Sequence, residues 1–409
     1  MPRPAPPSVP IALVVSFLSS FLTVATRARA EDAAGSPSSA RYSVRAELGG
    51  ELDTNANRIE IVNVPGVVNP RSPVVSPVAR AVVAGTISDV LGDDHQVALG
   101  ATVATKIFTN PDARGQDVAV VDASALWRKP LGQRWALALT GGYYDAFQRD
   151  VPSTTGEIDR RDFRSMTPTL RLSRAMSEHV DAGLGGGYRN FVFKPDHSFD
   201  FQAPTGVLDV RWASETADGA ADWDVTFRSG YEHRLFAGRQ LVENTTCATA
   251  PICPPITGPE DRRDHFLTNA LDVTRTGRFL MGAGYGLHVN LSNSFGESVL
   301  RHFFTARFAA ALPFELYLAA RIEVLFARYS DRVFVAEVAQ VMNAAKPWVT
   351  IEDENRNSAR VELSRNLSDR LQLIARYTFY ANELSRDNDV SYRRQVALLT
   401  LSFSLENEK

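Results

Sequence analysis

From residue 41 onward the chain alternates apolar and polar residues with a period of two. Tyr42, Val44, Ala46, Leu48 and Leu52 fall on one parity, and Arg45, Glu47 and Glu51 on the other. Successive side chains of an extended strand point to opposite faces, so this is a strand with one greasy and one charged face. The same split returns in 223–235, where Trp223, Val225, Phe227 and Tyr231 alternate with Asp224, Arg228 and Glu232, and again in 278–291 and 314–326. About sixteen such segments are predicted: 41–53, 79–88, 95–108, 117–128, 134–147, 163–173, 179–193, 200–213, 221–236, 263–274, 278–291, 299–311, 314–330, 358–365, 370–381 and 392–405. Pro204 in the eighth removes a ladder donor. Most are longer than the five or six residues of an average soluble strand. They suit a bilayer, which a tilted strand crosses in about 9–11 residues.

The connections alternate too. Residues 89–94, 129–133, 174–178, 214–220, 275–277, 312–313 and 366–369 are short. Those at 54–78, 148–162, 237–262 and 331–357 are long. Tight turns on one side and long loops on the other predict an all-β, transmembrane, antiparallel up-and-down β-barrel of about sixteen strands. The barrel covers 41–405 and leaves a polar tail at 406–409. Greek-key crossovers would break this rhythm. Closure follows from the solvent: hydrocarbon offers no hydrogen bonds to the backbone of an open edge. Trp127, Trp135, Tyr143, Phe147, Trp212, Trp223, Phe279 and Phe314 fall near strand ends, where aromatic girdles meet the headgroups.

Residues 1–30 read as a secretory signal peptide: Arg3, an apolar run at 11–25, then Ala28-Arg29-Ala30 before Glu31. No Cys follows the apolar run, so a lipoprotein anchor is not expected, and 31–40 (EDAAGSPSSA) is expected to be a disordered linker. A net charge of −3 points to no nucleic-acid partner, and 44% hydrophobic residues exclude a helical transporter bundle. The two cysteines, Cys247 and Cys253, share one predicted external loop, where an oxidising compartment favours a local disulfide. Seven histidines without ligand spacing point to no metal and no cofactor.

In the last segment Leu399, Leu401, Phe403 and Leu405 alternate with Thr400, Ser402 and Ser404. This resembles the amphipathic final strand of Gram-negative outer-membrane β-barrel proteins of the porin-like kind. Residues 51–58 (ELDTNANR) resemble the opening of porin-like barrels found beside polysaccharide-export genes. The resemblance implies residence in the outer membrane, contact with its lipids, insertion by the barrel-assembly machinery, and a link to periplasmic polysaccharide-export components.

With the polar face inward, the expected pore lining is Arg45, Glu47, Arg189, Arg211, Asp224, Arg228, Glu232, Arg278, Arg301, Arg307, Glu315, Arg321, Glu323, Arg360 and Arg376. Arginine leads modestly, which predicts a weak anion preference; the plainer expectation is cross-strand pairing that keeps the wall wettable. Gly183, Gly185 and Gly187, and Gly282, Gly284 and Gly286, form two inward tracks. They serve curvature or leave room for a loop inside the barrel; a helix at 331–345 could lie there. His288 with Ser292, Asp264 with His265, and Asp93-Asp94-His95 are the spacings that tempt a catalytic reading. None carries a hydrolase pattern, so no enzyme is expected. The leading expectation is a channel for hydrophilic solutes or the exit pore of a polysaccharide secretion system. A structural or receptor barrel with a blocked lumen comes second, and an outer-membrane hydrolase third.

Overall fold

A computed structural model describes residues 40–58, 61–62, 72–91, 95–148, 162–215, 221–247, 255–330, 357–381 and 390–407. The expected signal peptide, Cys253 of the expected disulfide and the expected helix at 331–345 lie outside these residues. The strands in chain order are β1 (Arg41–Asp53), β2 (Ile61–Val62), β3 (Ser76–Leu91), β4 (His95–Phe108), β5 (Val118–Leu131), β6 (Trp135–Gln148), β7 (Phe163–Ala175), β8 (Val180–Phe193) and β9 (Phe201–Glu215). They continue with β10 (Ala221–Val242), β11 (Ile256–Arg275), β12 (Phe279–Ser292), β13 (Val299–Leu312), β14 (Leu316–Tyr329), β15 (Asn357–Ser368), β16 (Leu371–Ala381), β17 (Val390–Ser391) and β18 (Arg393–Glu406).

All but β2 and β17 form one closed, antiparallel, sixteen-strand barrel in which each strand pairs with its neighbour in the chain. β18 returns to β1, in register from Ser43↔Glu406 to Asp53↔Val396. β2 and β17 pair with each other and tie together the two loops beside this seam. The polar tail begins later than expected. Glu406 is still in the ladder, and Asn407 prolongs it by accepting from the Tyr42 amide at 2.6 Å and donating to the Ala40 carbonyl at 2.8 Å.

Burial is inverted relative to a soluble protein. Leu48, Leu139, Leu184, Leu208, Ile322 and Leu399 are exposed, whereas Asp53, Arg80, Arg301 and Arg394 are buried. The apolar parity is therefore the outer face and the polar parity faces the barrel axis. A continuous exposed apolar surface of this kind is the lipid-facing belt of a membrane barrel. Trp135, Trp212, Trp223 and Phe279 stand exposed on it at the short-turn ends of their strands, at the level of a headgroup girdle.

Three departures from the alternation have physical causes. First, the expected loop at 237–262 is largely a ribbon, since β10 runs 22 residues to Val242 and β11 runs 20 from Ile256. The covered side of the ribbon carries Gln240, Gly258 and Arg262, so no apolar parity marks it, and its register shifts between Leu235/Arg239 and Arg239/Leu241. It is held down by the Phe295 amide, which donates to the Leu241 carbonyl at 2.8 Å, and by the Leu241 amide, which donates to Ser294 Oγ at 2.9 Å. Second, Pro313, Phe314 and Glu315 form the β13–β14 turn. Phe314 and Glu315 have φ of 63° and 59°, so Phe314 is not the first residue of a strand. Third, β5 opens on an apolar run because Val118, Ala119 and Val120 are all buried, and a strand covered on both faces loses its alternation. Pro204 stays in register with Tyr188 on β8, while the β9–β10 pairing skips Ala203 and Pro204 between Thr205 and Gln202.

Candidate functional site: the inner wall of the barrel

Residues opposite each other in a ladder share a face, so the register assigns the wall residue by residue. Arg45, Glu47, Arg189, Arg211, Asp224, Arg228, Glu232, Arg301, Arg307, Arg321, Glu323, Arg360 and Arg376 fall on the inward parity. Arg278 and Glu315 do not lie on the wall. Arg278 is in the turn between β11 and β12, with its guanidinium 5.4 Å from the Phe279 ring, and Glu315 is in the turn before β14. Counting parity past the end of a strand assigns a face to residues that have none.

The loop-side half of the wall is buried and holds its charges in knots. At the seam, Arg394 grips Asp53, with Nε 3.0 Å from both carboxylate oxygens and Nη2 2.6 Å from Oδ2. Beside it Lys106 meets Glu51 at 2.9 Å, and Arg80 stands 3.5 Å from Glu47. Across the barrel, Arg262 donates to Asp264 and to Glu297 (2.8 and 3.0 Å from Nη2), while Asn290 and Ser292 also donate to Asp264 at 3.1 and 2.6 Å. Glu232 accepts from both Arg189 at 3.2 Å and Arg234 at 2.8 Å.

Between these knots runs an arc of rings on successive strands. Tyr144, Phe163, Phe191, Phe201 and Phe236 follow one another with centroid separations of 5.2, 5.1, 4.9 and 5.1 Å. Such spacings are those of attractive aromatic pairs. The Arg234 guanidinium lies 5.1 Å from the Phe201 ring and 3.9 Å from the Phe266 ring. Arg80, Lys106, Asp53 and Arg262 were not anticipated as site residues, and Asp264 was raised only beside His265. In β3 and β4 the charges share their parity with Val78, Val82, Ala104 and Phe108, so no polar face is visible there. A lone charge recurring at the same level of adjacent apolar strands is the signal that would have found them.

The turn-side half is open, and here the glycine tracks find their use. Arg171 on β7 lies flat across β8 over Gly183 to reach Asp209 on β9, with Nε 2.9 Å from Oδ1. A Cβ at Gly183 would stand 2.6 Å from the Arg171 guanidinium. Arg307 on β13 crosses β12 beside Gly282 in the same way and pairs with Asp272 on β11. Each strap joins alternate strands, which neither curvature nor a folded-in loop requires. Gly187 differs, because a Cβ there would stand 2.3 Å from the Pro168 carbonyl oxygen, which is backbone. Gly187→Ala should therefore cost about 1–3 kcal/mol as overpacking. Gly183→Ala, which displaces only the end of a half-open arginine, should cost less than about 1 kcal/mol. Urea titration of the two variants in detergent micelles checks the order.

Two of the tempting catalytic spacings come apart in the barrel; of the third, Asp93-Asp94-His95, only His95 lies within the described residues. Asp264 faces inward opposite Ser292, whereas His265 faces outward opposite Leu291. His288 and Ser292 lie four residues apart on one strand, about 13 Å at 3.3 Å per residue, and Ser292 Oγ is bound to Asp264. Nδ1 of His95 accepts from Nε1 of Trp127 at 3.2 Å.

No protein-family model matches the chain, and no curated protein matches it. Among solved structures, it is similar to a loop L8 deletion mutant of OmpT, an outer membrane protein of Vibrio cholerae (12% identity, 90% of this chain and 100% of that one, TM-score 0.42). It is similar to a bacterial polysaccharide outer membrane secretin (8% identity, 89% and 98%, TM-score 0.42) and to OpdL of Pseudomonas aeruginosa (10% identity, 90% and 99%, TM-score 0.37).

Proposed function

We propose that this protein is an outer-membrane channel for small hydrophilic solutes, secreted through a signal peptide cleaved near Ala30. The reading is carried by one observation. A closed barrel with an apolar outer belt encloses a wall whose turn-side half presents open charged side chains. A purely structural barrel has no use for solvated charges on its axis, whereas a water-filled passage is lined by them. A narrower form of this reading, resting on the resemblance of 51–58 to barrels beside polysaccharide-export genes, makes the passage the exit for a secreted polysaccharide. It would then work with periplasmic export components.

The burial of the loop-side half favours a second reading, a receptor barrel whose passage is closed at that end. Planar-bilayer recording separates the two. The channel reading expects stable single-channel currents, with the narrow zone on the loop side, so that small sugars permeate in liposome swelling and larger ones are excluded. Silent bilayers from correctly folded, heat-modifiable protein would favour the receptor barrel.

A further inference from the structure

We propose that the turn-side half of the lumen is an oxyanion-attracting vestibule, in which Arg45, Arg171, Arg211 and Arg228 select solutes that carry carboxylate or phosphate. The inference rests on the channel reading and adds the substrate class to it.

The ion pairs of this region are not symmetric toward the lumen. Arg45 is 49% exposed while its partner Glu47 is 10% exposed. The same order holds for Arg171 over Asp209 (38% and 13%) and for Arg211 over Asp224 (54% and 30%). Each carboxylate sits against the wall and each guanidinium caps it, so the pair presents its positive end to water. Arg321 over Glu323 follows the trend; Asp272 is slightly more open than Arg307, and Arg376 is the more covered partner of Glu362.

Arg228 adds a further positive charge, offset in part by Asp181, which is exposed on the same inward face opposite Arg211. Its register partner is Asp209, but Asp209 is taken by Arg171, which reaches it over Gly183. Arg228 is exposed and forms no ion pair among the described residues. The glycine strap thus diverts a carboxylate and frees an arginine one strand away. Across the lumen, the turn-side wall of β4 to β6 carries no carboxylate among the described residues: Ala98, Gly100, Ser124, Leu126 and Gly142 are neutral, Arg128 is positive, and the nearest carboxylate, Asp122, lies toward the loop side. A guanidinium offers paired N–H donors that match a carboxylate or phosphate edge, and its charge acts over about 10 Å at 0.1 M salt.

The experiment is the reversal potential across a tenfold KCl gradient in planar bilayers. Wild-type barrel is expected to prefer Cl− over K+. The preference should be larger near 0.1 M than near 1 M salt, because the Debye length falls from about 10 Å to about 3 Å. Arg45→Gln/Arg211→Gln/Arg228→Gln should lower the Cl−/K+ permeability ratio by about twofold or more. A wild-type ratio of one or below, or a triple variant indistinguishable from wild type, overturns the inference. Silent bilayers overturn the channel reading instead. The vestibule is then judged by calorimetric titration of citrate into the detergent-solubilised barrel. Binding that weakens severalfold in the triple variant supports it, and no binding or unchanged binding overturns it.

Discussion

Asp53→Ala is expected to destabilise the barrel by about 3–5 kcal/mol, the cost of stranding a buried charge. Asp53 is fully buried at the closing seam and takes three contacts from Arg394, while its Oδ1 also accepts from the Asn55 amide at 3.0 Å. Its loss leaves the Arg394 guanidinium in the wall without its carboxylate, beside the Tyr380 ring at 5.3 Å. Because the pair joins the strand that opens the barrel to the one that closes it, the damage falls on the ladder that closes the barrel. Asp53→Leu/Arg394→Leu should recover most of the loss, since removing both charges also removes the desolvation penalty. Equilibrium urea unfolding in detergent, run as a double-mutant cycle, isolates the coupling. If Asp53→Ala stayed within about 1 kcal/mol of wild type, the seam would owe nothing to the pair.

Leu184→Arg should cost about 2–4 kcal/mol, the penalty for a cation on the lipid face of a barrel near mid-depth. Leu184 projects outward from β8, between the inward Gly183 and Gly185, and is exposed. Ser124→Arg, on the inward face of β5, should cost less than about 1 kcal/mol, because the side chain enters water. The contrast reads the inside–outside assignment directly, by urea midpoint in lipid vesicles. Equal costs for the two would reverse or abolish that assignment.

Most of the fold is legible in the sequence because a membrane barrel writes its structure locally. A strand with lipid on one side and water or charge on the other must alternate, so Tyr42 to Leu52 and Phe279 to Leu291 announce both strand and face. Legibility fails where that two-solvent condition fails. Val118 to Val120 are covered on both sides and read as a plain apolar run. The covered side of the ribbon that extends β10 and β11 is built from Gln240, Gly258 and Arg262 rather than apolar residues, so 237–262 looks like a loop. Phe314 satisfies the parity and still sits in a turn, because parity carries no information about φ.

The site was legible only in part. Which residues face the axis follows from counting by twos within a strand, and that reasoning reaches Arg45, Arg228 and Arg307. Which of them are compensated does not follow, because charge pairing joins residues of different strands, 38 positions apart for Arg171 and Asp209 and 341 for Arg394 and Asp53. Asp53 and Arg394 are far apart in sequence, and nothing near either one names the other.

The sequence by itself determined that the chain forms long two-faced strands, that tight turns lie at one end, and that the ribbon must close. Each of these follows from a period of two and from backbone groups that hydrocarbon cannot satisfy. Only the tertiary structure decided that Asp209 belongs to Arg171 rather than to its register partner Arg228. That choice depends on a guanidinium lying flat where Gly183 has no side chain, and distance across a strand is set by closure, not by position in the chain.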